Sequence, residues 1–274
     1  MKHFLITRFN LKNSYWNKIG EEYTVLTEDW LNHRFFLFEN YCLPSVINQT
    51  NKNFIWLVAF DIDTPEAFKK RIKSSFRNHT NFYPLFIDGF NNLQPSIEEN
   101  IKRLTAKQDK YIVTTRLDND DILHKDFIRT IQHLFVATPN TVIDLRRGFQ
   151  LAIKDNNNEV RAYNRAYNPF ISLVESLTDF ETVISKEHRK WKNSTATVVN
   201  TKDYLWIQLV HDKNQSNKKD YTLIKIAKLN FKDFGINLQP VEDNPIFTAI
   251  NNAFLFPYRV FMATKKSIKE FLWE

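Results

Sequence analysis

The segment Tyr111–Leu123, YIVTTRLDNDDIL, runs an apolar stretch directly into Arg116 and three carboxylates, Asp118, Asp120 and Asp121. Carboxylates this close repel one another, so a cation belongs between them, and a hard divalent ion with oxygen ligands answers best. Magnesium takes one or two protein carboxylates and fills its shell with water and substrate phosphate. The pattern outlines a nucleotide-diphosphate site holding Mg2+ or Mn2+, with Arg116 and Asp118 beside the diphosphate. The plainer alternative is a helix N-terminus whose acids complement its dipole. A calcium loop fails, because counting from Asp118 puts Leu123 where it needs glycine and Arg129 where it needs a bidentate glutamate.

A second acidic motif, FDIDTP at Asp61, imitates the D-x-D of an aspartate-nucleophile phosphatase. It departs from that family in having Pro65 where Thr or Val belongs, and in following a full strand and helix. His211 ends the apolar run Leu205–Val210 and opens a basic loop with Lys213, Asn214, Asn217, Lys218 and Lys219. Its neutral imidazole can coordinate an ion, and the lysines can neutralise a departing diphosphate; otherwise it is a surface histidine. Tyr163, Tyr167, Trp191 and Trp206 could stack on sugar faces or fill the core. His188, in KEHRKW, could bind acceptor or phosphate or simply lie on the surface, and Cys42 reads as an inert core thiol.

Ligand sites of open α/β sheets lie beyond the carboxyl ends of strands, so a strand must deliver the acid cluster. Tyr111–Thr115 is that strand. Before it, His3–Asn10, Phe54–Phe60 and Tyr83–Ile87 read as strands, the second apolar throughout and so buried on both faces. Between them lie helical spacings. Leu31, Phe35, Phe38 and Cys42 repeat up to Pro44, which should end or kink that helix. Phe68, Ile72 and Phe76 follow Thr64 as N-cap and Pro65 in the first turn. Ser96 and Glu99 look like a capping box ahead of Ile97, Ile101 and Leu104. Phe127–Phe135 gives another helix and Thr141–Leu145 a fifth strand. Alternation of this kind implies a Rossmann-like, mainly parallel α/β sheet flanked by helices on both faces. After residue 150 the pattern is less regular. KDNNNEV (Lys154–Val160) reads as a turn and His211–Asp220 as a polar loop, with no linker, so the expectation is one domain over 1–274.

Composition removes several classes. The four glycines, Gly20, Gly89, Gly148 and Gly235, are too dispersed for a P-loop, a G-x-G-x-x-G fingerprint or a G-x-S-x-G elbow. A single cysteine rules out disulfides and cysteine-rich zinc sites. The charge of +7 suits an anionic partner. No nucleic-acid-binding signature supports a binding module, and an unmetallated acid triplet would repel phosphate, so no nucleic acid is expected. Arg8 and Asn10 interrupt any signal peptide, and no run reaches the roughly 20 apolar residues of a membrane span, which points to the cytoplasm.

The set HFLITRFNL, FIWLVAFDIDTP, TTRLDNDD and WIQLVHDKNQSN resembles the bacterial rhamnosyltransferase family, glycosyltransferases of GT-A character, from about residue 3 to about residue 217. The resemblance implies that the acidic triplet holds a divalent metal on a sugar nucleotide's diphosphate and that His211 completes the shell or touches the diphosphate. It also places Thr7, Arg8, Phe9 and Asp61 around the nucleotide. The donor would be a dTDP- or UDP-linked sugar, rhamnose or a hexose, and the acceptor a glycan or glycolipid of surface polysaccharide or lipopolysaccharide. Residues 1–150 would then bind the donor and 151–274 the acceptor. Inversion needs one carboxylate to take the acceptor proton; Glu175 is the candidate, delivered by an apolar run, with Asp179 and Glu181 as rivals.

The tail, Phe254–Trp273, mixes aromatics with Arg259, Lys265, Lys266 and Lys269. A helix after Pro257 places Phe261, Ile268 and Phe271 along one side, the pattern of an interfacial helix touching the inner membrane face. The alternative is a helix docking that stripe on the core.

Overall fold

The computed structural model describes residues 1–13, 18–19, 22–153, 158–194, 196–211 and 219–272. Strands β1 (Lys2–Arg8), β2 (Ile55–Asp61), β3 (Phe82–Ile87) and β4 (Tyr111–Arg116) lie parallel in the spatial order β3-β2-β1-β4. All seven residues of β2 are buried, because helices cover both faces of the sheet. Strand alternation sorts the side chains between those faces. Leu5, Trp56, Val58 and Val113 pack with α1 (Glu28–Leu37) and α3 (Glu66–Phe76). Phe4, Ile6, Leu57 and Ile112 pack with α4 (Leu93–Leu104) on the other side.

Three local expectations are corrected. The first helix does not stop before Pro44: α1 passes through a π-turn, Phe38–Cys42, into α2 (Leu43–Ile47), with the Leu43 N–H bonded to the Phe38 carbonyl. Pro44 then falls in the first turn of α2, where a missing N–H is harmless. Thr64 does not cap α3; its hydroxyl donates to the Asp61 carbonyl, and Pro65 takes the N-cap position. Ser96 and Glu99 form no capping box, because α4 starts at Leu93, which extends the buried stripe of Ile97 and Ile101 by one turn.

The remaining strands are β5 (Ile122–Leu123), β6 (Thr141–Leu145), β7 (Arg147–Ala152), β8 (Glu159–Asn164), β9 (Ser172–Ser176), β10 (Ala196–Asn200), β11 (Trp206–Val210) and β12 (Ile224–Lys225). They divide between two sheets. The first continues past β4 through β9, β6 and β10, and within it only β9 runs against the others. The second has the order β12-β8-β7-β11-β5. Since β9 and β10 come from beyond residue 150 yet belong to the first sheet, a boundary near 150 does not separate the layers. The KDNNNEV turn lies mostly outside the described residues, but the strands flanking it, β7 and β8, pair antiparallel.

Trp206 locks the two sheets together. Fully buried, it stacks on Phe170 at 4.5 Å between centroids, and its indole N–H donates to the Leu145 carbonyl at 2.7 Å. Its ring lies against Gly148, where a Cβ would stand 2.1 Å from Cδ2, so β7 accepts only glycine there. Trp191, at 5% exposure, belongs to the core, whereas Tyr163, at 8%, packs on Trp206 and also borders a cavity.

Candidate active site

At the carboxyl end of β4 the chain turns through Asp118–Asp121 into β5, which pairs with β11. The three carboxylates of this turn meet three different environments. Asp121 is buried and its Oδ1 accepts the Leu209 N–H at 3.0 Å, tying the turn to β11. Burial, reinforced by the charges of Asp120 and Asp118, pushes its carboxyl well above the ordinary range. Asp120 is also buried, which opposes ionisation. Its Oδ2, however, lies 3.2 Å from His211 Nε2 at the end of β11 and 2.7 Å from Arg34 Nη1 on α1, and these partners draw its pKa down. Asp118 stays partly exposed and pairs with Arg116 at 3.1 Å.

The triplet therefore does not converge on one cation. Among the described residues no three or more His, Cys, Asp or Glu side chains stand grouped closely enough to hold a metal ion, so Asp118, Asp120, Asp121 and His211 do not form one cluster in this structure. What the fold brings together is the pair Asp120–His211. Asn119 fixes the turn from inside: its Nδ2 donates to the Phe9 carbonyl at 3.1 Å, and its Oδ1 accepts from Arg34 at 3.3 Å. Residues 212–218, with Lys213, Asn214, Asn217 and Lys218, lie outside the described residues.

Of the first strand's end, Arg8 lines a cavity. The Thr7 hydroxyl is buried and accepts the Trp56 indole N–H at 2.9 Å. The Phe9 ring packs against Phe35 and Phe60 at 4.8 Å each. Asp61 is fully buried, and its oxygens accept the backbone N–H groups of Lys12 (3.0 Å), Asp63 (3.0 Å) and Gly89 (3.3 Å). It organises the loops after β1, β2 and β3 instead of facing a ligand, and it cannot serve as a phosphatase nucleophile while so engaged.

Glu175 is displaced further. In the β9–β4 register it stands opposite Ile112, six residues before Asp118. At about 3.3 Å per residue that is ~20 Å away, at the amino end of β4. Its carboxyl is buried on the backbone N–H groups of Glu181 (2.8 Å) and Thr182 (3.1 Å). Asp179 and Glu181 lie exposed in the turn after β9, Glu181 paired with Lys186 at 2.5 Å. None of the three reaches the acid turn.

Two cavities meet at the Arg116–Asp118 pair. The smaller, about 50 Å³, is walled by Ile6, Arg8, Phe90 and Leu93, with the Arg8 guanidinium over the Phe90 ring at 5.2 Å. The larger, about 420 Å³, lies between the sheets and is lined by Gln150, Arg165, Glu187, His188, Gln208 and Asp220 among others. His188 thus faces a cavity, its Nδ1 bonded to the Tyr167 carbonyl. Sequence reasoning missed Arg34, Gln150, Arg165, Gln208 and Asp220. Arg34 carries no signal, being one arginine on a helix. Gln150 and Gln208 carried a faint one, as lone amides inside apolar strands.

A parallel sheet with its acid turn and cavities at the carboxyl ends of the strands is a GT-A-type, Rossmann-like α/β architecture. Residues 2–222 match the family described as "Putative rhamnosyl transferase", and the chain belongs to that family of glycosyltransferases. No curated protein matches the chain. Among solved structures it is similar to S. aureus TarS 1-349, at 13% identity and a TM-score of 0.43 over 76% of this chain and 60% of that one. The same protein in complex with UDP-GlcNAc gives 11% identity and a TM-score of 0.46 over 81% and 63%. A 4-diphosphocytidyl-2C-methyl-D-erythritol synthase from Anaerococcus prevotii gives 9% identity and 0.34 over 72% and 88%. The chain thus spans about 60% of the TarS chain.

Proposed function

We propose that the protein moves a sugar, rhamnose or a hexose, from a dTDP- or UDP-linked donor to a hydroxyl of a glycan or glycolipid acceptor, with inversion. One observation carries this reading: the Arg116–Asp118 pair stands between a small cavity and a large polar one, beside Asp120 and His211. The large cavity, about 420 Å³, suits a sugar and its acceptor, while the small one admits only an edge of the donor. Their junction is where a diphosphate would lie, with Arg8 and Arg116 as its counter-charges.

The donor set fits a diphosphate-borne Mg2+ or Mn2+ in a reduced form. Asp120 Oδ2 and His211 Nε2 lie 3.2 Å apart, an oxygen and an imidazole nitrogen close enough to serve one ion. Asp120 and His211 would hold the ion, and its chemistry would be Lewis-acid stabilisation of the leaving diphosphate. Arg34, on the same oxygen, keeps Asp120 ionised.

The cavity geometry favours Asp220 over Glu175 as the base. Asp220 lines the large cavity, and its Oδ1 accepts the Thr222 N–H (2.8 Å) and hydroxyl (2.6 Å). Its own N–H donates to Gln150 Oε1 at 2.8 Å. A base must be held in place with a lone pair to spare, and Oδ2 remains for an acceptor hydroxyl. Glu187, the rival in the same cavity, is exposed. The test is thermal shift with a panel of dTDP- and UDP-sugars, with and without Mn2+, followed by product analysis. A metal-dependent rise that Asp120→Asn abolishes is expected; equal binding by the variant overturns the metal assignment, and no stabilisation by any sugar nucleotide overturns the function.

A further inference from the structure

We propose that helices α6 (Pro245–Phe254) and α7 (Phe256–Leu272) dock the protein on the surface of an anionic lipid bilayer, an inference independent of the transfer chemistry. A helix on a globular protein ordinarily turns its apolar stripe inward. Helix α6 does the reverse. Ile246, Phe247, Ile250 and Phe254 fall within one 100° arc at 100° per residue, and they are 68%, 71%, 57% and 82% exposed. The opposite side holds the helix to the body through polar groups. Thr248 is buried there, and the Asn252 side chain makes two 2.9 Å bonds with the Lys225 backbone, continuing the edge of β12. Arg259, on α7, donates to the Leu223 and Asn252 carbonyls, both at 3.0 Å, and fastens the second helix to the first.

The bare stripe runs on into α7, where Phe256 and Phe261 are each 63% exposed. The expected alternative, in which the C-terminal helix docks its apolar stripe on the core, is therefore excluded up to Phe261. Exposed aromatic and aliphatic groups in such an unbroken surface need a cover.

Charge selects which cover. Pro245–Phe254 contains no ionisable side chain, while Phe256–Leu272 contains Arg259, Lys265, Lys266 and Lys269 against Glu270 alone. A second copy seated along both helices would bring Arg259 and Lys265 against their own counterparts. An anionic headgroup layer attracts the lysines, while the Phe and Ile stripe enters the acyl boundary. No helix among the described residues is long and apolar enough to cross a membrane, so the contact is interfacial.

The experiment compares the full chain with Phe247→Glu/Phe254→Glu by co-sedimentation with vesicles of phosphatidylcholine alone and of phosphatidylcholine with phosphatidylglycerol. Both substitutions lie on exposed positions, so thermal unfolding of the variant should match that of the parent. Expected are binding to anionic vesicles about tenfold or more above that to neutral ones, weakening in high salt, and loss of at least about tenfold in the variant. The proposal is overturned if the parent stays in the supernatant, or if the variant binds equally. It is also overturned if ultracentrifugation without lipid shows a dimer that the two substitutions dissolve, which would make a second copy the cover.

Discussion

Replacing Glu175 by Gln tests whether this carboxyl is a structural acid held neutral by its surroundings. It is 1% exposed, and burial, the largest influence on it, lifts its pKa from 4.5 to about 7 against the pull of the Glu181 and Thr182 N–H groups. An acid whose folded pKa lies above its unfolded value binds more protons in the native state between the two. Its contribution to stability is therefore fully present below pH ~4.5 and is lost as pH rises through about 7. A shift of about 2.5 pKa units corresponds to ~3 kcal/mol by which the ionised side chain destabilises the fold at pH 8. Gln retains an oxygen for both backbone N–H groups and carries no charge. Thermal unfolding should thus place Glu175→Gln near the parent at pH 4.5 and, at about 2–4 °C per kcal/mol, some 6–12 °C above it at pH 8. Parallel curves, or a variant less stable at every pH, would refute the buried neutral acid. The same variant should keep sugar transfer within about threefold; a loss of a hundredfold or more would restore Glu175 as the base.

Asp121→Asn should bind donor and transfer sugar more nearly as the parent does than Asp120→Asn, because Asp121 Oδ1 is engaged by the Leu209 N–H and Asn keeps an oxygen for that bond; isothermal titration with a sugar nucleotide compares the two variants. Asp220→Asn should lower kcat by about a hundredfold or more with donor affinity unchanged; a kcat within a few-fold of the parent removes it as the base. Gly148→Ala drives a methyl into the Trp206 ring, so chemical denaturation should show a loss of about 2–3 kcal/mol or more, with Trp206 fluorescence shifted in the native state.

The strands were legible because a buried parallel strand writes itself as an unbroken apolar run, as Phe54–Phe60 does, and Thr141–Leu145 matches its observed limits. Helix starts were less so. Ser96 looked like a cap, yet burial of Leu93 decided where α4 begins. Glu175 was misplaced for a topological reason. Its strand runs antiparallel to β4, so a residue later in the chain than Asp118 lies back at the amino end. Nothing in a stretch of apolar residues announces that direction. Arg34 and Asp220 reach the site only through the packing of α1 and of the second sheet.

The acid triplet shows how the fold differentiates residues that spacing alone makes equivalent. In sequence the three carboxylates are equivalent charges close together. In the fold, burial separates them: Asp121, buried against Leu209, has its carboxyl pushed up, while Asp118 lies partly exposed beside Arg116. Asp120 is the member both buried and ionised, and it remains so because Arg34 and His211 face the same oxygen. A buried charge with two cationic or coordinating neighbours is poised to exchange one of them for a ligand. Its neighbour Asp121, by binding the Leu209 N–H, fixes the turn on β11, the strand that His211 follows. The acid tied to the backbone thus sets the position of the Asp120–His211 pair.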